Sequence, residues 1–109
     1  MRQRKRWLAF FHRATGTLIV DKGAANAVSG GGKSLLPCGI LRVLGHFDVG
    51  SLVNVQTPSG TRIARGLVEY SSGDIEKILG RETSEIAGIL GRKDYDEVIH
   101  RDNLVLLEN

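Results

Sequence analysis

The 109 residues predict one mainly β domain with short α-helices, and three observations carry that expectation. Fourteen glycines against an aromatic content of 6% imply many short elements joined by tight turns, because glycine supplies the positive φ that such turns require. Leu52 to Thr57 alternates Val53 and Val55 with Asn54 and Gln56, the period of two of a half-buried strand. Two neighbouring segments, Asp74 to Arg81 and Glu85 to Arg92, each place Ile, Ile and Leu at i, i+3 and i+4 and then a glycine, the grammar of a short amphipathic helix.

The elements follow in order. Thr17 to Val20 is a β-branched and apolar run that reads as a strand, and Asp21 after it is a natural N-cap for an Ala-rich helix reaching Val28. Gly30, Gly31 and Gly32 are expected to stop that helix by raising the entropic cost of continuing it. Pro37 and Gly39 exclude a regular helix in the next stretch, and Ile40 to Leu44 suits a strand bounded by Gly45. Thr57-Pro58-Ser59-Gly60 carries Pro and Gly at the positions of a β-turn and joins the alternating strand to a further one over Arg62 to Tyr70. The two Ile-Ile-Leu segments follow, each expected to carry all three residues on one apolar helical face, with Gly80 and Gly91 where a C′ glycine would end each helix. Two copies do not make a repeat architecture, which needs at least three units to bury a continuous core. Glu97 to Leu107 returns to strand character, with a turn or bulge near Asp102 and Asn103.

Apolar residues at 41% and charged residues at 25% are ordinary for a folded domain and far from the composition of disorder. The apolar runs stop well short of the roughly 20 residues that span a bilayer, and no apolar signal region follows the basic start, so the expected location is the cytosol, without membrane contact. A lone cysteine, Cys38, expected to be small and semi-buried, has no disulfide partner in the chain, and His12, His46 and His100 are too scattered to complete a metal cluster with it. The net charge of +3 is unevenly spread: of the 15 lysines and arginines, five (Arg2, Arg4, Lys5, Arg6, Arg13) precede Ala14, so the other ten face all 12 acidic residues, a balance of −2. Nucleic-acid binders usually present a basic face, and here the excess sits in the first residues.

Three short motifs suggest chemistry and fail on context. Gly32-Lys33-Ser34 ends like a phosphate-binding loop, but Ala27 stands where the first glycine belongs, a helix precedes it, and Pro37 and Gly39 follow where a helix should start. His100-Arg101-Asp102 matches the start of a protein-kinase catalytic loop, yet Leu107 occupies the place of the metal-binding Asn. Asp94, Asp96 and Glu97 lack the Gly and closing Glu of a calcium loop and read as a solvated turn. No arrangement of nucleophile and base is legible, so no catalytic, cofactor-binding or metal residue is assigned.

Longer stretches are more specific. Arg4-Lys5-Arg6-Trp7, Gly16-Thr17-Leu18-Ile19-Val20-Asp21-Lys22-Gly23-Ala24, Lys33-Ser34-Leu35-Leu36-Pro37-Cys38-Gly39-Ile40, Gly45-His46-Phe47-Asp48-Val49-Gly50, Ile63-Ala64-Arg65-Gly66-Leu67-Val68-Glu69-Tyr70-Ser71-Ser72 and Tyr95-Asp96-Glu97-Val98-Ile99-His100-Arg101-Asp102-Asn103 resemble, in order and spacing, the C-terminal PUA portion of bacterial glutamate 5-kinases. The resemblance runs from about Arg4 to the C-terminus. Arg92-Lys93 departs from it, since the family usually has an aromatic after the glycine, and Gly30-Gly31-Gly32 is looser than its usual charged helix end.

The resemblance implies a PUA-like pseudo-barrel of mixed strands over 14–109, preceded at 1–13 by a basic segment or linker from an amino-acid-kinase domain, or by a first strand. It implies a parent enzyme that phosphorylates the γ-carboxylate of L-glutamate with ATP and Mg toward proline, and a non-catalytic role for this part, modulating the kinase. It also implies an alternative role, structured RNA bound along the edge around the first helix. By position that edge comprises Lys22, Gly23, Lys33, Ser34, Pro37, Gly39 and Arg42, with Arg101 on the neighbouring terminal strand. Gly23 and Gly39 would admit close backbone approach and the cations would neutralise phosphates. The same residues also read as turn glycines and solvated cations of a domain whose body is net acidic.

Overall fold

A computed structural model of the protein describes residues 12–107. The first strand considered for 1–13 falls outside the described residues except at His12 and Arg13, which lie in no strand. Five strands, β1 (Gly16–Val20), β2 (Ile40–Gly45), β3 (Leu52–Gln56), β4 (Arg62–Leu67) and β5 (Leu104–Leu106), form one mixed sheet in the order β2-β1-β3-β4-β5. β1 and β3 run parallel and every other pairing is antiparallel. Register shifts at Ile19/Val20 and at Val55/Gln56 bend the sheet, as bulges do. Among the described residues three α-helices, α1 (Lys22–Gly31), α2 (Ser72–Lys77) and α3 (Ile86–Leu90), accompany the sheet in a mainly β fold. Among the described residues no helix is long and apolar enough to cross a membrane.

The alternation read for β3 is seen directly: Val53 and Val55 are buried while Asn54 and Gln56 are half-buried. Leu18 and Val20 of β1 join them, and Ile40, Ala64, Tyr70, Ile75, Ile78, Ile86, Val98 and Ile99 close the same core. No charged or polar residue is buried among the described residues, so apolar burial carries the stability. The turn at 57–60 closes through the Gly60 amide donating to the Thr57 carbonyl at 2.9 Å.

Several boundaries differ from the sequence reading. α1 continues through Gly30 and Gly31 and stops at Gly32. Each helical glycine costs about 1 kcal/mol relative to alanine, which slows a helix without ending it. The stop is conformational: Gly32 takes φ 61°, ψ 29°, the left-handed state that glycine reaches without a Cβ clash. The strand read to Tyr70 ends at Leu67, because β3 begins at Leu52, opposite Leu67, and the chain then changes partners, with the Val68 amide going to Ser51 and the Glu69 amide to Val98.

α2 begins at Ser72, where Ser71 caps it by accepting from the Asp74 amide at 3.2 Å. α3 follows a 3-10 turn, Thr83–Glu85, closed by a Glu82/Glu85 capping box. Ile75 and Ile78 are buried as expected, but Ile89 is 37% exposed. In a helix of five residues, Ile86 and Leu90 lie about 40° apart around the axis and suffice for the contact, whereas Ile89 falls about 60° to the other side of Ile86. The turn read near Asp102 and Asn103 is a 3-10 turn over Arg101–Asn103, but the strand character around it is shorter than the 97–107 read from the sequence: before it Ile99 makes only an isolated antiparallel bridge to Leu35, and after it β5 spans Leu104–Leu106.

Candidate nucleic-acid interface

The segment between α1 and β2 is folded back on the helix N-terminus. Asp21 caps α1 by accepting from the Ala24 amide at 2.7 Å, and its own amide donates to the Gly39 carbonyl at 2.9 Å. The 3-10 turn Pro37–Gly39 is thereby held against the first turn of the helix, close enough that a Cβ at Gly39 would lie 2.4 Å from the Ala24 Cβ. Gly39 is thus required by helix-to-turn contact. The other wall is the loop after Gly32: the Lys33 amide donates to the Ala27 carbonyl, the Leu35 amide to the Ile99 carbonyl, and the Arg101 amide to Ser34 Oγ at 2.8 Å. Between the walls lies a groove of about 440 Å³.

Gly23, Lys33, Ser34 and Gly39, four of the eight positions carried over by resemblance, line this groove. Lys22 is exposed on the first turn of α1 beside Gly23. Arg101 stands at the Ser34 end, in the 3-10 turn instead of on the expected strand, because His100 caps that turn by accepting from the Asp102 amide at 3.0 Å. Pro37 is buried, its carbonyl taking the Gly80 amide, and it offers no surface. Arg42 is exposed on β2 opposite Ile19 and does not line the groove. A Cβ at Gly23 would meet nothing nearer than Asp21 Oδ1 at 3.5 Å, so that backbone is open to approach.

The groove also has an apolar floor that the sequence reading did not single out, with Ala24, Ala27, Leu35 and Leu36. Cys38, expected to be semi-buried, is exposed and lines the groove, since the 3-10 turn points its neighbours Pro37 and Gly39 inward. The arrangement offers cations at a rim, backbone close to the surface and an aliphatic bed.

The motifs that resembled chemistry occupy other roles. Gly32-Lys33-Ser34 follows a helix and leads into a bridge and a 3-10 turn, which does not fit a phosphate cradle between strand and helix. His100-Arg101-Asp102 is a capped turn. Arg92 binds Asp74 at 2.8 Å through Nη2 and Asp94 at 3.0 Å through Nε, and Lys93 Nζ lies 3.0 Å from Asp96. The hydrogen bonds to Asp74 and Asp94 raise the pKa of the Arg92 guanidinium. Arg92 thus makes an ionic clasp between α2 and the turn after α3. Among the described residues no set of three His, Cys, Asp or Glu side chains is grouped to hold a metal.

Three comparisons bear on this architecture. The glutamate 5-kinase of Caldanaerobacter subterraneus subsp. tengcongensis is 57% identical over 96% of this chain, which covers 28% of that protein. The chain spans little more than a quarter of the length of the curated relatives it matches. Among solved structures, a PUA domain of Aeropyrum pernix K1, crystallised as a tartrate complex, aligns with TM-score 0.60 and 26% identity over 80% of this chain and 41% of its own. A chain of an archaeal box H/ACA sRNP complex aligns with TM-score 0.55 and 17% identity over 92% of this chain and 25% of its own, a likeness of fold. The PUA domain pattern itself matches residues 16–90, from the first residue of β1 to the last of α3, and on that match the chain belongs to the PUA domain family.

Proposed function

We propose that this chain is the C-terminal accessory domain of a glutamate 5-kinase and that it modulates the kinase without making or breaking bonds itself. The identity of 57% over 96% of the chain carries this reading. The parent enzyme acts in the cytoplasm in proline biosynthesis. Its amino-acid-kinase domain precedes this one and holds the ATP and Mg that transfer phosphate to the γ-carboxylate of L-glutamate; residues 14–109 supply no ligand to either. The test is the natural full-length enzyme made with and without 14–109. An altered rate, glutamate KM or response to the pathway's end product supports modulation, and superimposable kinetics remove it.

The groove favours a second reading, structured RNA as a ligand. Lys22, Lys33 and Arg101 border an apolar bed beside the open backbone of Gly23. Binding through these cations is expected to weaken as salt rises, and Lys33→Gln to flatten the plot of log affinity against log salt by about one unit of slope. A hairpin RNA titrated at several salt concentrations reads both, and absence of binding at low salt ends the idea.

A further inference from the structure

Two strands bound the sheet, and they differ in what they leave open. β5 is three residues long, whereas β2 runs for six and, among the described residues, pairs with β1 alone. Leu41 is 48% exposed and Leu44 39%, with the exposed Arg42 between them, and β2 has neither Lys nor Pro. Long apolar edges associate with whatever chain reaches them, and proteins normally guard or cover them. Where β2 meets α2, a groove of about 320 Å³ opens between Val43, Leu44 and His46 on one side and Ser72 and Glu76 on the other.

The path of the chain says what reaches this edge. Gly16 pairs with Gly45 at the end of β2, and the contact is tight: a Cβ at Gly16 would lie 2.5 Å from the Phe47 ring and 2.7 Å from the Leu44 carbonyl, and one at Gly45 2.9 Å from the Thr15 carbonyl. Polypeptide arriving from upstream therefore enters at Thr15, tied to β3 by its amide donating to the Leu52 carbonyl at 2.8 Å and packed on its other side against the Leu44–Gly45 end of β2, whereas β5, the last strand described, lies at the opposite edge of the sheet. In the relatives, this stretch is 28% of the protein, so most of the enzyme must be attached through such an entry if the kinase domain precedes.

Resting on the glutamate 5-kinase reading above, we infer that the β2 edge, with Leu41, Arg42, Leu44 and the groove beside His46 and Glu76, is the surface on which the preceding kinase domain docks. Its counterpart is an apolar patch with a carboxylate or carbonyl acceptor for Arg42. Hydroxyl-radical footprinting tests this by comparing the 109-residue chain with the full-length enzyme, after the latter is shown to phosphorylate glutamate. Labelling of Leu41 and Leu44 is expected to fall several-fold in the enzyme while Leu36, Tyr95 and Leu106 hold steady, and joint replacement Leu41→Glu, Leu44→Glu is expected to return His46 to the labelling seen in the chain alone. An active enzyme with Leu41 and Leu44 labelled as in the isolated chain overturns the docking and leaves the accessory reading intact. Protection that grows with concentration in the isolated chain assigns the edge to a second copy and overturns it too. A full-length protein without kinase activity sinks the earlier reading, and this occupant with it.

Discussion

Replacing Tyr70 by alanine is expected to cost about 3–5 kcal/mol, the range for removing a large buried aromatic. Tyr70 is fully buried, and its hydroxyl both donates to the Tyr95 carbonyl and accepts from the Tyr95 amide, with the two rings edge to face at 6.5 Å. One side chain thus fills the core between β4 and α2 and pins the turn after α3. Tyr70→Phe separates the two functions. It keeps the ring and removes the hydroxyl with both of its hydrogen bonds, so the loss should be about 1–3 kcal/mol, roughly that of two net hydrogen bonds. Packing outweighs polarity at this site. Against a stability of about 5–15 kcal/mol for an ordinary domain, the alanine variant loses a large fraction and the phenylalanine variant a smaller one. Urea titration reads both as shifts in midpoint at constant slope. Equal losses would place the energy in the hydroxyl and refute the ranking.

Gly39→Val is expected to cost about 1–3 kcal/mol or more through overpacking, and to open the groove by prising the 37–39 turn from α1. The cause is specific: the added Cβ would lie 2.4 Å from that of Ala24, whose backbone is held by the Asp21 cap. Relief should therefore come from the other side. Combining Gly39→Ala with Ala24→Gly should cost less than the two single changes summed, with a coupling of about 0.5–3 kcal/mol, whereas simple additivity would show that the clash is absorbed elsewhere. RNA titrated against Gly39→Val tests the groove as well, since a bed formed by this turn loses affinity when the turn moves while Lys33 keeps its charge.

How much of this was legible depended on how local each cause is. Val53 and Val55 announce β3 because a two-sided strand writes its burial into alternate residues. Asp21 announces α1 because a cap is made within a few residues of chain. Ile89 misled, since its spacing promises a buried face only when the helix is long enough to need one, and α3 is five residues long. Gly30 and Gly31 misled because composition alone does not say which glycine of three turns left-handed. The candidate interface was visible only through family resemblance. What brings Ser34 to Arg101 is a hydrogen bond across 67 positions of sequence, and what exposes Cys38 is the direction of a 3-10 turn, neither of which leaves a periodic trace.

If the chain is the accessory domain of a glutamate 5-kinase, as proposed above, dividing the full-length protein tests that account most directly. The part upstream of residue 14 and the chain itself would each be assayed for glutamate phosphorylation with MgATP. The upstream part is expected to retain turnover, with altered rate or control, and the chain alone to show none. Turnover by the isolated chain, abolished by Lys33→Gln, would contradict the assignment of this domain to contact.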